Sequence, residues 1–306
     1  MNDILTDIRI DFSEENLLFL NLSLAFIMFG VALGIKTENF KELAKSPKSV
    51  ITGVISQFLL LPALTFLLVM LLDPIPGLGL GMILVASCPG GNVSNFFSSI
   101  GKGNVALSIT LTAIATILAM FMTPLNFEVW STLYLGDRAS DAINLKMDSW
   151  KMMKMVFFLL VIPLIIGITF NSKFPKLTQK ISLPVKVISF IILIGIIVIA
   201  FLKNLELFTQ YYDYIIFVVF IHNVIAISSG YFFSKMLRNK PRDNRTISIE
   251  TGIQNSGLGL VIIFSLFDGN GGMALITAWW GIWHIIAGIV LALIYSKGKI
   301  FRTQVT

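Results

Sequence analysis

The sequence predicts an all-α polytopic membrane protein, and two observations lead to that fold class. Hydrophobic residues make up 56% of the 306-residue chain, charged residues make up only 13%, and the mean hydropathy is +0.84. Soluble domains carry about 25% charged residues, so this composition excludes an ordinary soluble fold. The apolar residues are also gathered in runs of about 20, which is the length that crosses a bilayer as a helix.

Nine apolar runs are long enough to be transmembrane helices. They comprise residues 17–35, 49–72, 78–101, 104–125, 150–170, 183–202, 211–234, 246–267 and 272–296. The polar stretches between these runs are short, so we expect one transmembrane domain over residues 1–306 and no separate soluble domain. The N-terminus, MNDILTDIRIDFSEEN, is acidic where a signal peptide is basic, so we expect no cleaved targeting segment.

The charges between the spans predict an orientation in the cell membrane. The tail before the first span holds five acidic residues and one arginine, whereas the first loop holds four lysines. Alternating sides from there places 17 of the 23 Lys and Arg residues on the side of that loop. Because basic loops remain in the cytoplasm, we predict an external N-terminus and a cytoplasmic C-terminus. The net charge of +6 then reflects orientation and not nucleic-acid binding. The single cysteine, Cys88, excludes an intramolecular disulfide.

Two spans contain sequences that break helices. The third span carries SCPGGNVSN, in which Pro89 has no amide hydrogen and each glycine costs about 1 kcal/mol in a helix. The eighth span carries ETGIQNSG, from Glu250 to Gly257. Broken helices leave unpaired backbone groups, which membranes tolerate only where those groups line a cavity or bind a ligand. The breaks occupy corresponding spans of opposite direction in the two halves, which predicts an inverted repeat.

Glu250 is the most informative residue, because it is acidic and lies inside a predicted span. Ionisable residues at membrane depth usually face a cavity or an ion path, so the sequence predicts a cation site at a broken helix. The alternative is a glutamate near a helix end whose carboxylate reaches the lipid head groups. The neighbouring amides of Gln254 and Asn255 favour the cation site.

Other side chains with oxygen atoms gather around both breaks. Glu250 and Gln254 are four residues apart, which places them on one helix face, and Ser108 and Thr112 share that spacing. A single Ser or Thr in a span usually bonds its own helix backbone, and a single amide can merely join two helices. The combination is more specific than any member. The candidate cation ligands are Gln57, Ser94, Asn95, Ser108, Thr112, Glu250 and Gln254.

The two histidines have different predicted roles. His222, beside Asn223 in the seventh span, is interpreted as a hydrogen-bonding group between helices rather than as a ligand. His284 follows Trp283 in the ninth span, at about the level of the predicted cavity. We treat it as a candidate substrate contact, with a structural role as the alternative.

At these residues the chain resembles the bile acid:sodium symporter family, which includes the hepatic and ileal bile acid transporters and their bacterial homologues. The matching elements cover essentially the whole chain: FGVALG, VISQFLLLP, SCPGGNVSN followed by GKGNVALS, and ETGIQNSGL. The resemblance implies two crossed, broken helices in a core domain and a separate panel domain, with substrate between them. The core would comprise about 49–125 and 211–267, and the panel about 17–36, 150–202 and 272–296. Bacterial members usually have ten spans, whereas the hepatic transporter resembles this chain in having nine.

The resemblance also implies two sodium sites that share one carboxylate. The first ion would be held by Ser94, Asn95, Ser108, Thr112 and Glu250. The second ion would be held by Gln57, Glu250, Gln254 and the backbone carbonyls of Thr251 and Ile253. The sodium ions would be co-transported ligands, so we expect no cofactor and no enzymatic activity.

The predicted function is sodium-coupled import of an organic anion, either bile-acid-like or a small carboxylate, with two sodium ions per cycle. We find no Lys or Arg at mid-membrane, so the anion is expected to meet Asn92, Asn255 and His284 around the half-helix N-termini. Relatives that accept bile acids often carry Asn where this chain has Ile285, which leaves the substrate open. A sodium/proton antiporter is the alternative, although SCPGGNVSN lacks the carboxylate pair that this class commonly uses.

Overall fold

The computed structural model describes residues 14–35, 47–91, 93–136, 148–203 and 205–297, and their regular secondary structure is helical. This confirms the all-α fold class. The helices are α1 (Glu14–Ala32), α2 (Pro47–Leu72), α3 (Pro76–Ser87), α4 (Ser94–Ile100), α5 (Val105–Leu135), α6 (Ser149–Lys173), α7 (Pro175–Lys203), α8 (Leu205–Met236), α9 (Pro241–Gly252), α10 (Ser256–Leu266) and α11 (Gly271–Ser296).

Five of the described helices are long and apolar enough to cross a membrane: α2, α5, α6, α11 and the part of α8 from Thr209 to Met236. Shorter apolar helices occupy Leu17–Ala32, Pro76–Ser87 and Ser256–Leu266. The count of nine spans, the inverted repeat and the division into core and panel stay predictions. The predicted orientation also stays a prediction, since most of the N-terminal tail and first loop lie outside the described residues.

Three helices extend well beyond their predicted spans. Helix α5 continues to Leu135 instead of ending near residue 125, while α7 begins at Pro175 and α8 at Leu205 rather than at residues 183 and 211. A search for apolar runs finds only the apolar part of a helix, whereas the backbone hydrogen bonds continue into its polar ends. As a result α5 also contains the exposed carboxylate of Glu128.

Wide π-helical turns interrupt α2 at Ser56–Leu60 and α6 at Phe157–Val161, and each turn directly precedes an Xaa-Pro pair. A proline inside a helix removes one backbone donor, and its ring clashes with the carbonyl four residues earlier. The wider turn relieves that clash without ending the helix. In α2 this turn contains Gln57, one of the predicted cation ligands.

Polar bonds from α8 hold the neighbouring helices in place. The Nε2 atom of His222 lies 2.7 Å from Oγ1 of Thr65 on α2, which confirms that this histidine joins two helices. The adjacent Asn223 donates from Nδ2 to the carbonyl oxygen of Gly252 at 2.7 Å. Gly252 is the last residue of α9, so this bond partners a carbonyl at a helix terminus. Helix α8 thereby fixes the end of α9 at the second break.

Candidate functional site

The two helix breaks contact each other through their backbones. The amide of Gly91 donates to the carbonyl oxygen of Ile253 at 2.6 Å, and the amide of Asn255 donates to that of Pro89 at 2.9 Å. Gly90 and Gln254 form an isolated antiparallel bridge between these two bonds. The pairing partners backbone groups that each break would otherwise leave unsatisfied.

Glycines in the first break make this close approach possible. A Cβ atom on Gly91 would lie 2.9 Å from the carbonyl oxygen of Gln254. A Cβ atom on Gly90 would lie 2.9 Å from Oε2 of Glu250 and 3.8 Å from Oε1 of Gln57. The absence of side chains therefore opens a space beside the Glu250 carboxylate on the side of Gln57.

Glu250 lies in the last turn of α9 and is only 4% exposed. Ser94, the first residue of α4, donates to its Oε1 atom at 2.7 Å, and Ser108 of α5 donates to the same oxygen. The hydroxyl of Thr112 lies 3.4 Å from both carboxylate oxygens and from Oδ1 of Asn95. All five residues predicted for the first sodium site are thus brought together.

This first cluster consists of oxygen atoms and carries one formal negative charge. Hard cations prefer carboxylate, hydroxyl and carbonyl oxygens, and sodium sites in transporters form at broken helices. Within the described residues, no group of three or more His, Cys, Asp and Glu side chains could hold a metal ion. The cluster therefore suits a hard monovalent cation better than a transition metal.

A second cluster lies on the other side of Glu250. Gln57 donates from Nε2 to Oε1 of Gln254 at 2.8 Å and to the carbonyl oxygen of Cys88 at 2.9 Å. Gln254 in turn donates to the carbonyl oxygen of Thr251 at 2.7 Å. The predicted second site is therefore also contiguous in space. The Thr251 and Ile253 carbonyls each accept one hydrogen bond and keep a second lone pair for a cation.

Some of the hydroxyls around the two clusters bond to the backbone of their own helix, which is the usual role of Ser and Thr in a membrane span. Thr116 donates to the carbonyl oxygen of Thr112 at 2.7 Å, and Thr112 lies 3.0 Å from the carbonyl oxygen of Ser108. Ser94 and Ser108 instead direct their hydroxyls to Glu250. These two serines consequently distinguish the site from ordinary helix backbone bonding.

The predicted substrate contacts lie at or near the second break. Asn255 accepts a hydrogen bond at Oδ1 from the amide of Leu258 at 3.0 Å and so caps α10. The backbone amide of Asn255 donates to the carbonyl oxygen of Pro89 in the first break, so Asn255 lies where the two breaks pair. Asn92 lies outside the described residues.

His284 is buried in α11, at 2% exposure, and neither of its ring nitrogens has a hydrogen-bond partner in the described part of the chain. Thr277 lies seven residues before His284 in α11 and Gly288 lies four residues after it, so all three share one helix face. Thr277 lies against Gly259 of α10, and Gly288 lies against Phe97 of α4. The face that carries His284 is therefore turned toward the interrupted helices.

Two polar groups near these clusters were not predicted from the sequence. The hydroxyls of Ser56 and Thr251 lie 2.8 Å apart and join α2 to the last turn of α9. Asp243 is a second buried carboxylate, 3% exposed, although it lies in the charged stretch PRDNR that precedes the eighth predicted span. Its separation of seven residues from Glu250, two turns on one helix face, was the signal that could have identified it.

The same residues can be compared with known proteins. A sequence model of the Sodium Bile acid symporter family matches residues 21–211, which is more than half of the chain. The chain belongs to this family. Membership agrees with the apolar helices in assigning a multi-pass membrane transporter, and it confirms the family resemblance drawn from the sequence motifs.

Relatives in bacteria, plants and mammals share the similarity. The chain is 32% identical over 286 residues to "Uncharacterized sodium-dependent transporter YocS" of Bacillus subtilis, covering 94% of this chain and 85% of the relative. It is 34% identical to "Probable sodium/metabolite cotransporter BASS2, chloroplastic" of Oryza sativa subsp. japonica, covering 79% and 55%. It is 32% identical to "P3 protein" of Mus musculus, covering 82% and 52%. The chain thus spans about half the length of these last two relatives.

Proposed function

We propose that the protein is a sodium-coupled secondary active transporter that imports an organic anion with two sodium ions per cycle. The observation that carries the proposal is the convergence of Ser94, Ser108 and Thr112 on the buried carboxylate of Glu250, beside the paired breaks. Family membership supports it, since relatives are named as sodium-dependent transporters and sodium/metabolite cotransporters.

The stoichiometry follows from the way the two clusters share one carboxylate. Oε1 of Glu250 faces the serine hydroxyls, whereas Oε2 faces Gly90 and the space toward Gln57. One ion can bind at each oxygen, and the two ions together then leave a net positive charge. That charge favours an anionic substrate nearby and predicts an electrogenic cycle.

The proposed substrate position is between the crossed helices of the core and the panel. The N-terminus of α10, capped by Asn255, is the positive end of a helix dipole and favours an anion. His284 faces the same region with two ring nitrogens that lack partners in the described structure, and buried polar groups are normally satisfied. A carboxylate or hydroxyl of the substrate would satisfy them. We therefore propose a bile-acid-like or small carboxylate as substrate.

Sodium/proton antiport has less support from the geometry. That mechanism commonly uses a titrating carboxylate pair, whereas the side-chain partners that the structure shows for Glu250 are the hydroxyls of Ser94, Ser108 and Thr112. Asp243, the other buried carboxylate on α9, lies about 10 Å away along the helix axis.

A thermal-shift screen of organic acids in sodium and in potassium tests the proposal. Sodium at 100 times its dissociation constant should stabilise the folded protein by about 2.7 kcal/mol, and potassium should not. The true substrate should add stabilisation only when sodium is present. Equal melting temperatures in sodium and potassium, with every acid, would contradict sodium coupling.

The substrate contact at His284 has its own test. The His284→Phe substitution keeps the aromatic volume and removes both ring nitrogens, so we expect the KM for substrate to rise about tenfold, as lost hydrogen bonds predict. Sodium binding without substrate should be unchanged. The control is His222→Phe, because His222 is bonded to Thr65 and should affect stability instead. A normal KM for His284→Phe would remove this residue from the proposed site.

A further inference from the structure

A row of buried polar groups continues from Glu250 toward the N-terminal end of α9. Asp243, Thr246 and Glu250 are spaced three and four residues apart and so share one face of this helix. Thr246 is fully buried and Asp243 nearly so. The two carboxylates are separated by about 10 Å along the axis, with the threonine hydroxyl between them.

The start of α5 lines the same row. Asn104 donates from Nδ2 to Oδ1 of Asp243 at 2.8 Å, and its backbone amide donates to Oγ1 of Thr246 at 2.7 Å. Four residues later on α5, Ser108 donates to Glu250. Each of the three acceptors along α9 therefore has a donor from this segment of the chain, in the same order.

Ser98 of α4 adds an observation that points to a ligand. It is 0% exposed, and its hydroxyl has no hydrogen-bond partner among the described residues. It follows Ser94 by four residues and so lies on the helix face that Ser94 presents to Glu250. A Cβ atom on Gly103 would lie 2.6 Å from Oγ1 of Thr246 and 3.1 Å from the carbonyl oxygen of Ser98. Ser98 and Thr246 therefore both lie close to Gly103, which places Ser98 beside the row. A buried hydroxyl without a partner is costly unless a ligand or water satisfies it.

The carboxylate at the end of the row has neutral hydrogen-bond partners. Asp243 accepts from the hydroxyl of Ser49 at 2.8 Å and from the amide of Asn104. The guanidinium groups of Arg242 and Arg245, which flank it in sequence, bond at 3.4 Å to the carbonyl oxygens of Gly103 and Gly101. The negative charge of Asp243 is thus available to a cation.

We propose that a sodium ion passes between Glu250 and the solution along these buried polar groups. The path, called the polar row, consists of Asp243, Asn104, Thr246 and Ser98. Asp243 is the transient cation ligand at its outer end. This inference rests on the proposed sodium coupling. The charge distribution of the sequence predicts that this end of α9 is cytoplasmic, so in an importer the row releases sodium into the cell. Its hydroxyl, amide and carboxylate oxygens are ligands that a hard cation prefers and that an organic anion does not.

The probe for the path is the silver ion, a monovalent cation of similar size to sodium that reacts with thiols. In a Cys88→Ala background, the Ser98→Cys variant is treated with silver nitrate in chloride-free buffer. The thiol loses its proton and forms a sulfur–silver bond. After unfolding, a maleimide reports the thiols that silver has not capped. Silver should cap this thiol in the folded protein, whereas a bulky maleimide should not reach it.

Two comparisons make the result specific. Thr123→Cys is the matched control, because Thr123 is also buried with an unpartnered hydroxyl but lies farther along α5. Its thiol should react with silver at least about tenfold more slowly. Adding Asp243→Asn to Ser98→Cys should slow capping by about threefold or more, since the carboxylate concentrates cations at the mouth of the row. Ser49→Ala removes a hydrogen bond to Asp243 but keeps the charge, and should leave the rate unchanged.

Equal silver rates for Ser98→Cys and Thr123→Cys would overturn the path, and this comparison stands even where Asp243→Asn fails to fold. An unchanged rate in folded Asp243→Asn would overturn the role of the carboxylate. Sodium-dependent stabilisation of the Cys88→Ala parent is measured separately. Its absence contradicts sodium coupling itself, whereas slow silver capping in a parent that binds sodium contradicts only the path.

Discussion

Replacing Glu250 with glutamine removes the only formal charge that both proposed sodium sites share. The amide keeps the size of the side chain, and its oxygen can still accept from Ser94 and Ser108. Its NH2 group must then occupy the position of Oε2, facing Gly90 and the space toward Gln57. A donor in that position repels a cation, so both sites are affected.

The magnitude follows from the electrostatics of the site. A carboxylate oxygen about 2.4 Å from a sodium ion contributes about 7 kcal/mol at an effective dielectric constant of about 20. Even if desolvation and the remaining amide dipole offset two thirds of this, about 2 to 3 kcal/mol is lost for each ion. That corresponds to about a 100-fold loss of sodium affinity. The protein without sodium should be as stable as the parent or more so, because a buried charge has been removed.

The assay is the sodium titration of the melting temperature, together with substrate uptake into proteoliposomes under a sodium gradient. We expect Glu250→Gln to fold normally, to lose the sodium-dependent shift and to transport almost nothing. Glu128→Gln is the matched control, since it makes the same change at an exposed carboxylate of α5 and should behave as the parent does. Uptake by Glu250→Gln at a substantial fraction of the parent rate would refute the model of two sites sharing one carboxylate.

Two further predictions concern the individual sodium sites. Gln57→Ala should weaken only the second site and Thr112→Ala only the first, so the sigmoidal sodium activation expected of the parent, with a Hill coefficient between about 1 and 2, should become hyperbolic in both. A hyperbolic curve in the parent, with one sodium counted per substrate, would exclude two ions. Gly90→Ala should place a methyl group 2.9 Å from Oε2 of Glu250 and raise the half-saturating sodium concentration in thermal-shift titrations about tenfold. Unchanged sodium binding would show that this space is not used.

The elements that depend on local chemistry could be predicted from the sequence. Several prolines are accommodated inside long helices, as in α5 and α7, but the clustered Pro-Gly-Gly of SCPGGNVSN and the glycines and polar residues of ETGIQNSG predict helix ends. The breaks appear where these motifs place them: α3 ends at Ser87, and α9 ends at Gly252. Apolar runs of bilayer length likewise predicted the helices, since a helix satisfies its own backbone groups. The helix ends were less predictable, because polar residues continue a helix without any change that hydropathy can detect.

Contacts between distant segments could not be obtained from spacing. Gln57 and Gln254 are 197 residues apart, and only the family resemblance placed them in one site. Asp243 shows the converse limit. Its spacing from Glu250 places it on the same helix face, but its burial depends on contacts with Ser49 of α2 and with Asn104 at the N-terminus of α5, which no local pattern reveals.

The end of α9 connects ion binding to the position of the breaks. The carbonyls at its end have three different partners: Asn223 of α8 bonds that of Gly252, and Gln254 bonds that of Thr251. Gly91 of the first break bonds the carbonyl of Ile253, the residue that follows the helix. A sodium ion in the proposed second site would use two of these oxygens. One of them, the carbonyl oxygen of Ile253, accepts the bond from Gly91, so the ion would act directly on one of the hydrogen bonds that pair the two breaks. Because α10 starts three residues beyond Ile253, at Ser256, a shift in that pairing moves the helix N-terminus proposed to bind the anion. On this reasoning sodium and substrate are coupled through the backbone of the crossing, with no need for direct contact between them.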